Sequence, residues 1–284
     1  MRRAVLIPIL LAVALFGQKN SATRAAWNKP LPPFRIIGNI YYVGVAGVSS
    51  FLIVTPQGDI LLDGGLPESA PLIEKSIAAL GFRITDVKYL LNSHAHFDHA
   101  GGLAELRRAS GAKLIASRGD TPVLTTGKQV GFPDSFPVHV DRVIDDGATV
   151  ALGGVVLTAH LTPGHTKGCT TWTMPVTDNG KTYNVLFYCS TSVVDRLVNN
   201  ARYPGIVADY EASFRKLRTL PCDVFLGPHA EFFHLEEKRQ RLGAGGPNPF
   251  IDPAEFRAFV DQSERDFRAE LAREQNKLAA DKRK

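Results

Sequence analysis

Three histidines and one aspartate fall within six residues of this chain, in the segment His94-Ala95-His96-Phe97-Asp98-His99. The segment follows an apolar run, Val87 to Leu91, which predicts a buried strand. Residues i and i+2 of a strand point to the same side, so we expect His94 and His96 to face one point as the strand ends. Asp98 and His99 follow where the chain turns, and we expect them to face a second point beside the first.

These side chains are of the types that bind zinc. Imidazole and carboxylate ligands suit this ion, and a catalytic site leaves one position for water. The alternative is a histidine-rich loop that binds metal only casually. The density of the pattern, directly after a buried strand, argues against that alternative.

The elements predicted around the segment alternate between strands and helices, which favours helices packed outside sheets. The last helix is predicted to begin near Asp252, and the charged end, Gln275 to Lys284, is predicted to fray. The other main elements are strands at Tyr41 to Val54, Ile60 to Leu62, Lys113 to Ala116, Thr149 to Leu161 (two strands that turn at Gly153-Gly154), Thr170 to Met174, Val185 to Tyr188 and Asp223 to Leu226, and helices at Ser69 to Leu80, Leu103 to Arg108 and Tyr210 to Arg218.

The first 25 residues have the composition of a secretory signal peptide. Arg2 and Arg3 precede a continuous apolar run, Ala4 to Phe16, and small and polar residues follow. The run is short for a membrane span, so we expect export to the periplasm and cleavage before Ala26. An uncleaved N-terminal anchor is the alternative, although we expect no stable membrane anchor.

The net charge of the whole chain is +5, but the exported protein would lack the charges of the signal peptide. Residues 1–25 contain four basic residues and no acidic ones, so their removal leaves a net charge of +1. The charge therefore gives no reason to expect a nucleic-acid partner. We expect a small-molecule substrate and, by default, a monomer.

The chain has three cysteines, Cys169, Cys189 and Cys222. An exported protein can join two of them, but the sequence does not say which two. No C-x-x-C pair occurs, which argues against a zinc cage of thiolates.

The histidine segment resembles the hallmark motif of the metallo-β-lactamase superfamily, and the resemblance continues along the chain. Asp63-Gly64-Gly65 resembles the early aspartate loop of the family, Thr162-Pro163-Gly164-His165-Thr166 resembles its next ligand segment, and Gly227-Pro228-His229 resembles its last one. The resemblance implies one domain over residues 26–284. It also implies an α/β fold, a four-layer αβ/βα sandwich of two mixed β-sheets flanked by helices.

The resemblance also implies a ligand set for two Zn²⁺ ions. His94, His96 and His165 would hold the first ion, and Asp98, His99 and His229 would hold the second. A histidine in place of a cysteine ligand resembles the third subclass of class B β-lactamases. Asp63 would then orient a ligand histidine rather than bind metal.

A zinc-dependent β-lactamase is therefore the expected activity, with bound zinc lowering the pKa of the attacking water. Ser190 stands where glyoxalase II, lactonases and the tRNA-processing nuclease of this superfamily carry a metal-bridging aspartate. Asp195 is the alternative candidate for that aspartate if the alignment slips. Another secreted zinc hydrolase, a lactonase or a thioesterase, stays open, as does a periplasmic zinc-binding protein without catalysis.

Further roles follow from the same resemblance. Asp98 would anchor the second zinc and orient the attacking water, and the hydroxyls of Ser190, Thr191 and Ser192 would hold the substrate carboxylate. Capping of the strand end is the other interpretation of these hydroxyls. Cys189 is either a zinc ligand or a buried core cysteine, and its apolar surroundings favour the second. The loop Gly127 to Pro137, with Phe132 and Phe136, is expected to flank the cleft.

Overall fold

Two mixed β-sheets form the centre of the protein, which a computed structural model describes over residues 22–128 and 137–283. The first sheet has the strand order β1-β2-β3-β4-β5-β6-β7, antiparallel from β1 to β4 and parallel from β4 to β7. The bounds of these strands are Phe34–Ile37, Ile40–Tyr42, Phe51–Ile53, Asp59–Leu62, Val87–Leu91, Lys113–Ser117 and Arg142–Ile144.

The second sheet has the order β12-β11-β10-β9-β8. Its strands β8 to β11 are antiparallel neighbours, whereas β11 and β12 run parallel. The bounds are Thr149–Leu152, Val155–Leu161, Thr170–Asp178, Lys181–Phe187 and Val224–Leu226.

Helices lie outside both sheets. Residues 22–27 are helical and form α1. The helices α2 to α8 span Ala70–Ala79, Phe97–Ala100, Leu103–Ser110, Thr121–Thr126, Ile206–Leu217, Leu235–Gly243 and Glu255–Asp281. Short 3-10 turns at Pro67–Ser69, Ile84–Asp86 and Ala230–Phe233 complete the described elements.

The alternation of residues in the first sheet divides the core into two clusters. Leu61 and Leu90 face the cluster that contains residues of α2 and α4, including Ile73 and Leu106. Their neighbours Leu62 and Leu91 face the cluster shared with the second sheet, in which Trp172 and Phe187 lie. The predicted α/β fold of two mixed sheets flanked by helices is confirmed.

Two predicted elements differ from the structure. The single strand expected from Tyr41 to Val54 is two strands, β2 and β3, because residues 43–50 turn back on themselves through the pair of backbone hydrogen bonds Val43 N–H to Ser50 O and Val45 N–H to Val48 O. The expected fraying of Gln275 to Lys284 is wrong for most of that segment, since α8 continues to Asp281. The carboxylate of Glu274, directly before that segment, accepts the amide hydrogens of Leu197 and Val198.

Most of the expected signal peptide, residues 1–21, lies outside the described residues, and so does most of the loop that carries Phe132 and Phe136. Residues 22–25 belong to α1, where the guanidinium of Arg24 donates to the carboxylate of Glu68 at 2.5 and 2.6 Å. Export and its cleavage point stay predictions. None of the helices in the two described ranges is both long enough and apolar enough to cross a bilayer.

Candidate metal centre and active site

The histidine segment lies at the carboxyl end of β5, between the ends of the parallel strands β4 and β6. The chain leaves the strand after Leu91 and enters α3 at Phe97, so His94 and His96 lie in the turn between strand and helix, and Asp98 and His99 lie in α3 itself. Gly102 closes this turn against the loop that follows β4. A Cβ at Gly102 would meet the carbonyl oxygen of Gly64 at 2.2 Å, so only glycine allows this approach.

The structure brings together the three side chains expected to hold the first ion. One ring nitrogen each from His94, His96 and His165 lies within 4.8 Å of the other two. The Nδ1 of His94 lies 3.0 Å from the hydroxyl of Ser93, while its Nε2 is buried and has no hydrogen-bond partner among the described residues. Burying an unpaired ring nitrogen costs free energy, so this atom fits a metal ligand.

The three side chains expected to hold the second ion also converge. The Nε2 atoms of His99 and His229 lie 3.2 Å apart, and an Asp98 carboxylate oxygen lies 3.3 Å from the first and 3.5 Å from the second. The two groups are neighbours, since the rings of His94 and His99 have centroids 4.3 Å apart. Five imidazoles and one carboxylate, with three donor atoms around each of two points, form a donor set that zinc prefers.

Burial keeps most of these imidazoles neutral. It lowers the pKa of His96 to about 3 and, together with the neighbouring histidines, the pKa of His165 and of His229 to about 4. At His99, burial acts in the same direction, but the Asp98 carboxylate outweighs it and raises the pKa. Against the effect of burial, His99 and His229 hold the pKa of Asp98 below its usual range. Near pH 7 His96, His165 and His229 are therefore neutral and Asp98 is ionised, the forms that bind a metal, whereas a metal at His99 would displace the proton that Asp98 favours there.

Aromatic rings line one side of the second group. The ring of Trp27, at the end of α1, lies 5.1 Å from that of His229, and Phe232 lies 5.2 Å from the same imidazole. The guanidinium of Arg24 lies 5.7 Å from the ring of Phe97, which stands between two ligand residues. Trp27, which follows the expected cleavage point, therefore forms part of the wall of the site.

The three serine and threonine residues predicted to bind substrate differ in their surroundings. The hydroxyl of Ser190 is buried and accepts the amide hydrogen of Ser192 at 3.1 Å. The hydroxyl of Thr191 is buried 2.5 Å from that of Tyr188. Ser192 is exposed, and its carbonyl accepts a hydrogen bond from Nδ1 of His165. Of the three side chains, that of Ser192 is therefore the one open to a ligand.

Cys189 is neither a zinc ligand nor a free core cysteine. It forms a disulfide with Cys169, and both residues are fully buried. The Sγ of Cys189 also lies 3.3 Å from the carbonyl oxygen of Ser93, beside the first ligand. Cys222 keeps a free thiol. The apolar run around Cys189 correctly indicated burial, but no local pattern identifies a bond to Cys169, which directly precedes β10.

Two further aspartates named in the sequence analysis lie outside both ligand groups. Among the described residues, no hydrogen bond joins the carboxylate of Asp63 to a ligand imidazole, but its charge helps to raise the pKa of His99. Its carboxylate accepts the amide hydrogen of Ser93 and the side chain of Asn92. It therefore holds the backbone beside His94. Asp195, the alternative for a metal-bridging aspartate, pairs with Arg202 at 2.7 Å and belongs to neither ligand group.

Two residues near the ligands were not singled out from the sequence. Asp120, after β6, is buried and accepts hydrogen bonds from the two loops that carry the first ligand group. Burial raises the pKa of Asp120 to about 6. Tyr210 donates its hydroxyl hydrogen to the carbonyl of Ser192 at 2.8 Å. A clue to Asp120 was its place after a predicted strand, which it shares with Asp63 and the histidine segment.

The chain belongs to the metallo-β-lactamase superfamily, whose family profile matches residues 43–229. Among solved structures it is similar to BJP-1, a subclass B3 metallo-β-lactamase of Bradyrhizobium japonicum, with 43% identity, a TM-score of 0.85, and coverage of 89% of this chain and 98% of that one. It is also similar to the FEZ-1 metallo-β-lactamase of Legionella gormanii, with 45% identity, a TM-score of 0.84, and coverage of 87% and 98%.

Curated relatives match over shorter stretches. A probable metallo-hydrolase of Burkholderia pseudomallei is 36% identical over 108 residues, which are 37% of this chain and 36% of that protein. A hydroxyacylglutathione hydrolase of Rhodospirillum rubrum is 28% identical over 163 residues, which are 57% of this chain and 54% of that protein. The chain thus spans about half or less of these relatives, but nearly all of the two lactamases. The resemblance to the third lactamase subclass is confirmed at the level of fold and overall sequence.

Proposed function

We propose that this protein is a zinc-dependent β-lactamase that hydrolyses the amide bond of β-lactam antibiotics with two Zn²⁺ ions. The observation that carries the proposal is the pair of adjacent ligand groups, in which five of the six side chains are histidines and none is a cysteine. The similarity to two subclass B3 lactamases over almost the whole chain supports the same substrate class.

In this proposal His94, His96 and His165 hold the first ion, and Asp98, His99 and His229 hold the second. Zinc bound there would lower the pKa of water toward neutrality and polarise the lactam carbonyl. Asp98 stays ionised at working pH, because the neighbouring histidines hold its pKa low. Its carboxylate can therefore serve as a ligand and also accept a hydrogen bond from the attacking water, which orients that water toward the carbonyl.

The substrate carboxylate would be held beside the first ligand group by the region Ser190 to Ser192. The hydroxyl of Ser192 carries most of this role, since it is exposed while the hydroxyls of Ser190 and Thr191 are buried and bonded within the protein. Its backbone meanwhile fixes His165. One short segment would thus bind the substrate carboxylate and also hold a metal ligand in place, which would keep the reacting carbonyl close to the metal ligands.

A second candidate is thioester hydrolysis, which the hydroxyacylglutathione hydrolases among the relatives favour. Their identity to this chain is lower and covers about half of it. The carboxylate of Asp195 forms an ion pair with Arg202. By the resemblance to the family, Ser190 takes the position at which thioester hydrolases of this superfamily carry a metal-bridging aspartate. We therefore rank this activity below β-lactam hydrolysis.

The remaining parts of the proposal concern the setting of the enzyme. We propose that residues 1–25 direct export to the periplasm, where the substrate is a small β-lactam and no nucleic acid takes part. A monomer without a membrane anchor is the default. N-terminal sequencing of the protein recovered from the periplasm would locate the cleavage point directly.

Hydrolysis of a chromogenic cephalosporin tests the proposed activity. The purified protein should open the ring, lose activity in a chelator and regain it with zinc. His165→Ala should abolish the activity, while the control His139→Ala should not, because the His139 side chain is 70% exposed and lies outside both ligand groups. Parallel assays with an acyl-lactone and a glutathione thioester separate the alternatives. Cleavage of either one without cleavage of the cephalosporin would overturn the proposal.

A further inference from the structure

A buried carboxylate outside the ligand set connects the two loops that supply the first ligand group. Asp120 follows β6 and is 3% exposed. One of its oxygens accepts the amide hydrogen of Ala95 and the hydroxyl hydrogen of Thr166, both at 2.9 Å. The other oxygen accepts the amide hydrogen of Gly168 at 3.0 Å. Both carboxylate oxygens are therefore used within the protein.

The positions of these contacts relate them to the ligands. Ala95 lies between His94 and His96, and Thr166 directly follows His165. Every member of the first ligand group is thus next in sequence to a residue that Asp120 holds. The histidine segment and the His165 loop come from sequence regions about 70 residues apart, so their relative placement depends on tertiary contacts such as these.

The backbone around Asp120 is built for this contact. A Cβ at Gly168 would lie 2.6 Å from the carboxyl carbon of Asp120, and a Cβ at Gly119 would lie 2.5 Å from the carbonyl oxygen of Lys167. Ser117 adds a further bond, from its hydroxyl to the carbonyl of Gly168 at 2.6 Å. The turn at residues 117–120 and the loop at residues 166–168 therefore pack backbone against backbone.

We propose that Asp120 is a positioning residue that sets the spacing of His94, His96 and His165, and with it the metal affinity of the first group. This inference rests on one part of the proposed function, namely that the first ligand group binds zinc, and it does not depend on the substrate. Among the described residues, the carboxylate of Asp120 hydrogen-bonds to Ala95, Thr166 and Gly168 and to no ligand imidazole, so it acts through the two loops. Residues that orient metal ligands typically change metal affinity 10- to 100-fold when they are replaced.

Asp120→Asn is the direct test. The three partners of Asp120 are all donors, so an amide nitrogen in place of one oxygen faces a donor and must break at least one contact. Asp59→Asn is the matched control, because Asp59 is also 3% exposed and accepts a backbone amide hydrogen, that of Thr55. It lies at the start of β4, whereas the ligands lie beyond the ends of the parallel strands.

The readouts are the zinc affinity of each variant, by competition with a chromophoric chelator, and the absorption spectrum of the cobalt-substituted protein. We expect Asp120→Asn to weaken the binding of one of the two ions by about tenfold or more and to change the cobalt spectrum. Asp59→Asn should leave the zinc affinity and the cobalt spectrum unchanged, even if it lowers the melting temperature as much as Asp120→Asn does. Wild-type affinity and spectrum in Asp120→Asn would overturn the inference.

Thr166→Val is the second test if Asp120→Asn does not fold, since it removes only one of the three hydrogen bonds that Asp120 accepts. We expect a smaller loss of affinity for the same ion, and no loss would overturn the inference. A wild-type protein that binds zinc but does not open β-lactams would refute the proposed function and leave this inference standing. A wild-type protein that binds no zinc would refute both.

Discussion

The carbonyl oxygen of Ser192 accepts a hydrogen bond from Nδ1 of His165 at 2.7 Å. A carbonyl cannot donate, so this contact requires the hydrogen of the neutral ring to be on Nδ1, which leaves the lone pair of Nε2 for a metal. The hydroxyl of Tyr210 donates to the same carbonyl at 2.8 Å. The tautomer of a ligand is thus fixed by a backbone group that a buried tyrosine holds in place.

Removal of that tyrosine hydroxyl should weaken the site without emptying it. We expect Tyr210→Phe to lower the free energy of unfolding by about 1 kcal/mol, the net value of one hydrogen bond. It should also lower the zinc affinity of the first ligand group by less than about tenfold. Urea unfolding and chelator competition measure the two effects. Ser110→Ala, which removes a hydroxyl that donates to the carbonyl of Leu106 at the far end of α4, should change stability but not affinity. Equal zinc affinity in Tyr210→Phe and the wild type would refute the role of Tyr210.

Loss of the one carboxylate ligand should empty the second ligand group. We expect Asp98→Ala to retain about one zinc per chain and to lose about 100-fold or more in turnover, since the carboxylate both binds the ion and orients the water. Elemental analysis beside steady-state kinetics measures both quantities. Full activity with a single bound zinc would contradict the role given to Asp98.

The disulfide should stabilise the fold beneath the metal centre. Cys169 and Cys189 are 20 residues apart, for which removal of the bond is expected to cost about 3 kcal/mol. The double variant Cys169→Ala/Cys189→Ala should unfold at lower urea concentration, whereas Cys222→Ser, a change at the half-buried free thiol, should have the smaller effect. Thiol titration of the unfolded protein should find one reactive cysteine before reduction and three after it. Three thiols without reductant would show that the bond does not form.

The metal-free protein should lose stability as the pH falls from 7.5 to 5.5. Four histidines of the site have lowered pKa values in the folded protein, whereas a histidine of the unfolded chain has a pKa of about 6.5. The unfolded chain therefore binds more protons at these histidines as the pH falls, which favours unfolding. The raised pKa values of His99, Asp63 and Asp120 act in the opposite direction and reduce this loss.

A single histidine isolates this pH effect. We expect the loss of stability between pH 7.5 and 5.5 to be smaller by about 1 kcal/mol in metal-free His229→Gln than in the metal-free wild type. Urea unfolding at the two pH values measures the difference. An equal loss in both proteins would show that His229 is protonated in the fold as readily as in the unfolded chain.

The ligand groups were predictable because sequence order and strand geometry both point to them. His94 and His96 are two residues apart at a strand end, and His165 and His229 lie in proline-glycine contexts after strands. The contacts that hold the loops of the first ligand group together were not predictable in the same way. Asp120 contacts backbone amides and a hydroxyl, and such partners leave no pattern in the sequence.

The errors in the fold have a similar origin. The end of α8 was expected to fray from its charge alone, but Glu274 bonds to the amides of Leu197 and Val198 on a distant loop. The break between β2 and β3 was missed because residues 43–50 are largely apolar and small. That turn approaches the last ligand loop, since Val48 forms a bridge with His229 and Ser49 donates to the carbonyl of Pro228. Tertiary contacts, not local propensity, decide both places.

Zinc titration of the metal-free enzyme, followed by cephalosporin hydrolysis in the same samples, tests the central claim most directly. The two ligand groups predict that activity is absent without metal and reaches its maximum when two zinc ions are bound per chain. Full hydrolytic activity in correctly folded protein that elemental analysis finds free of divalent metal would contradict the account.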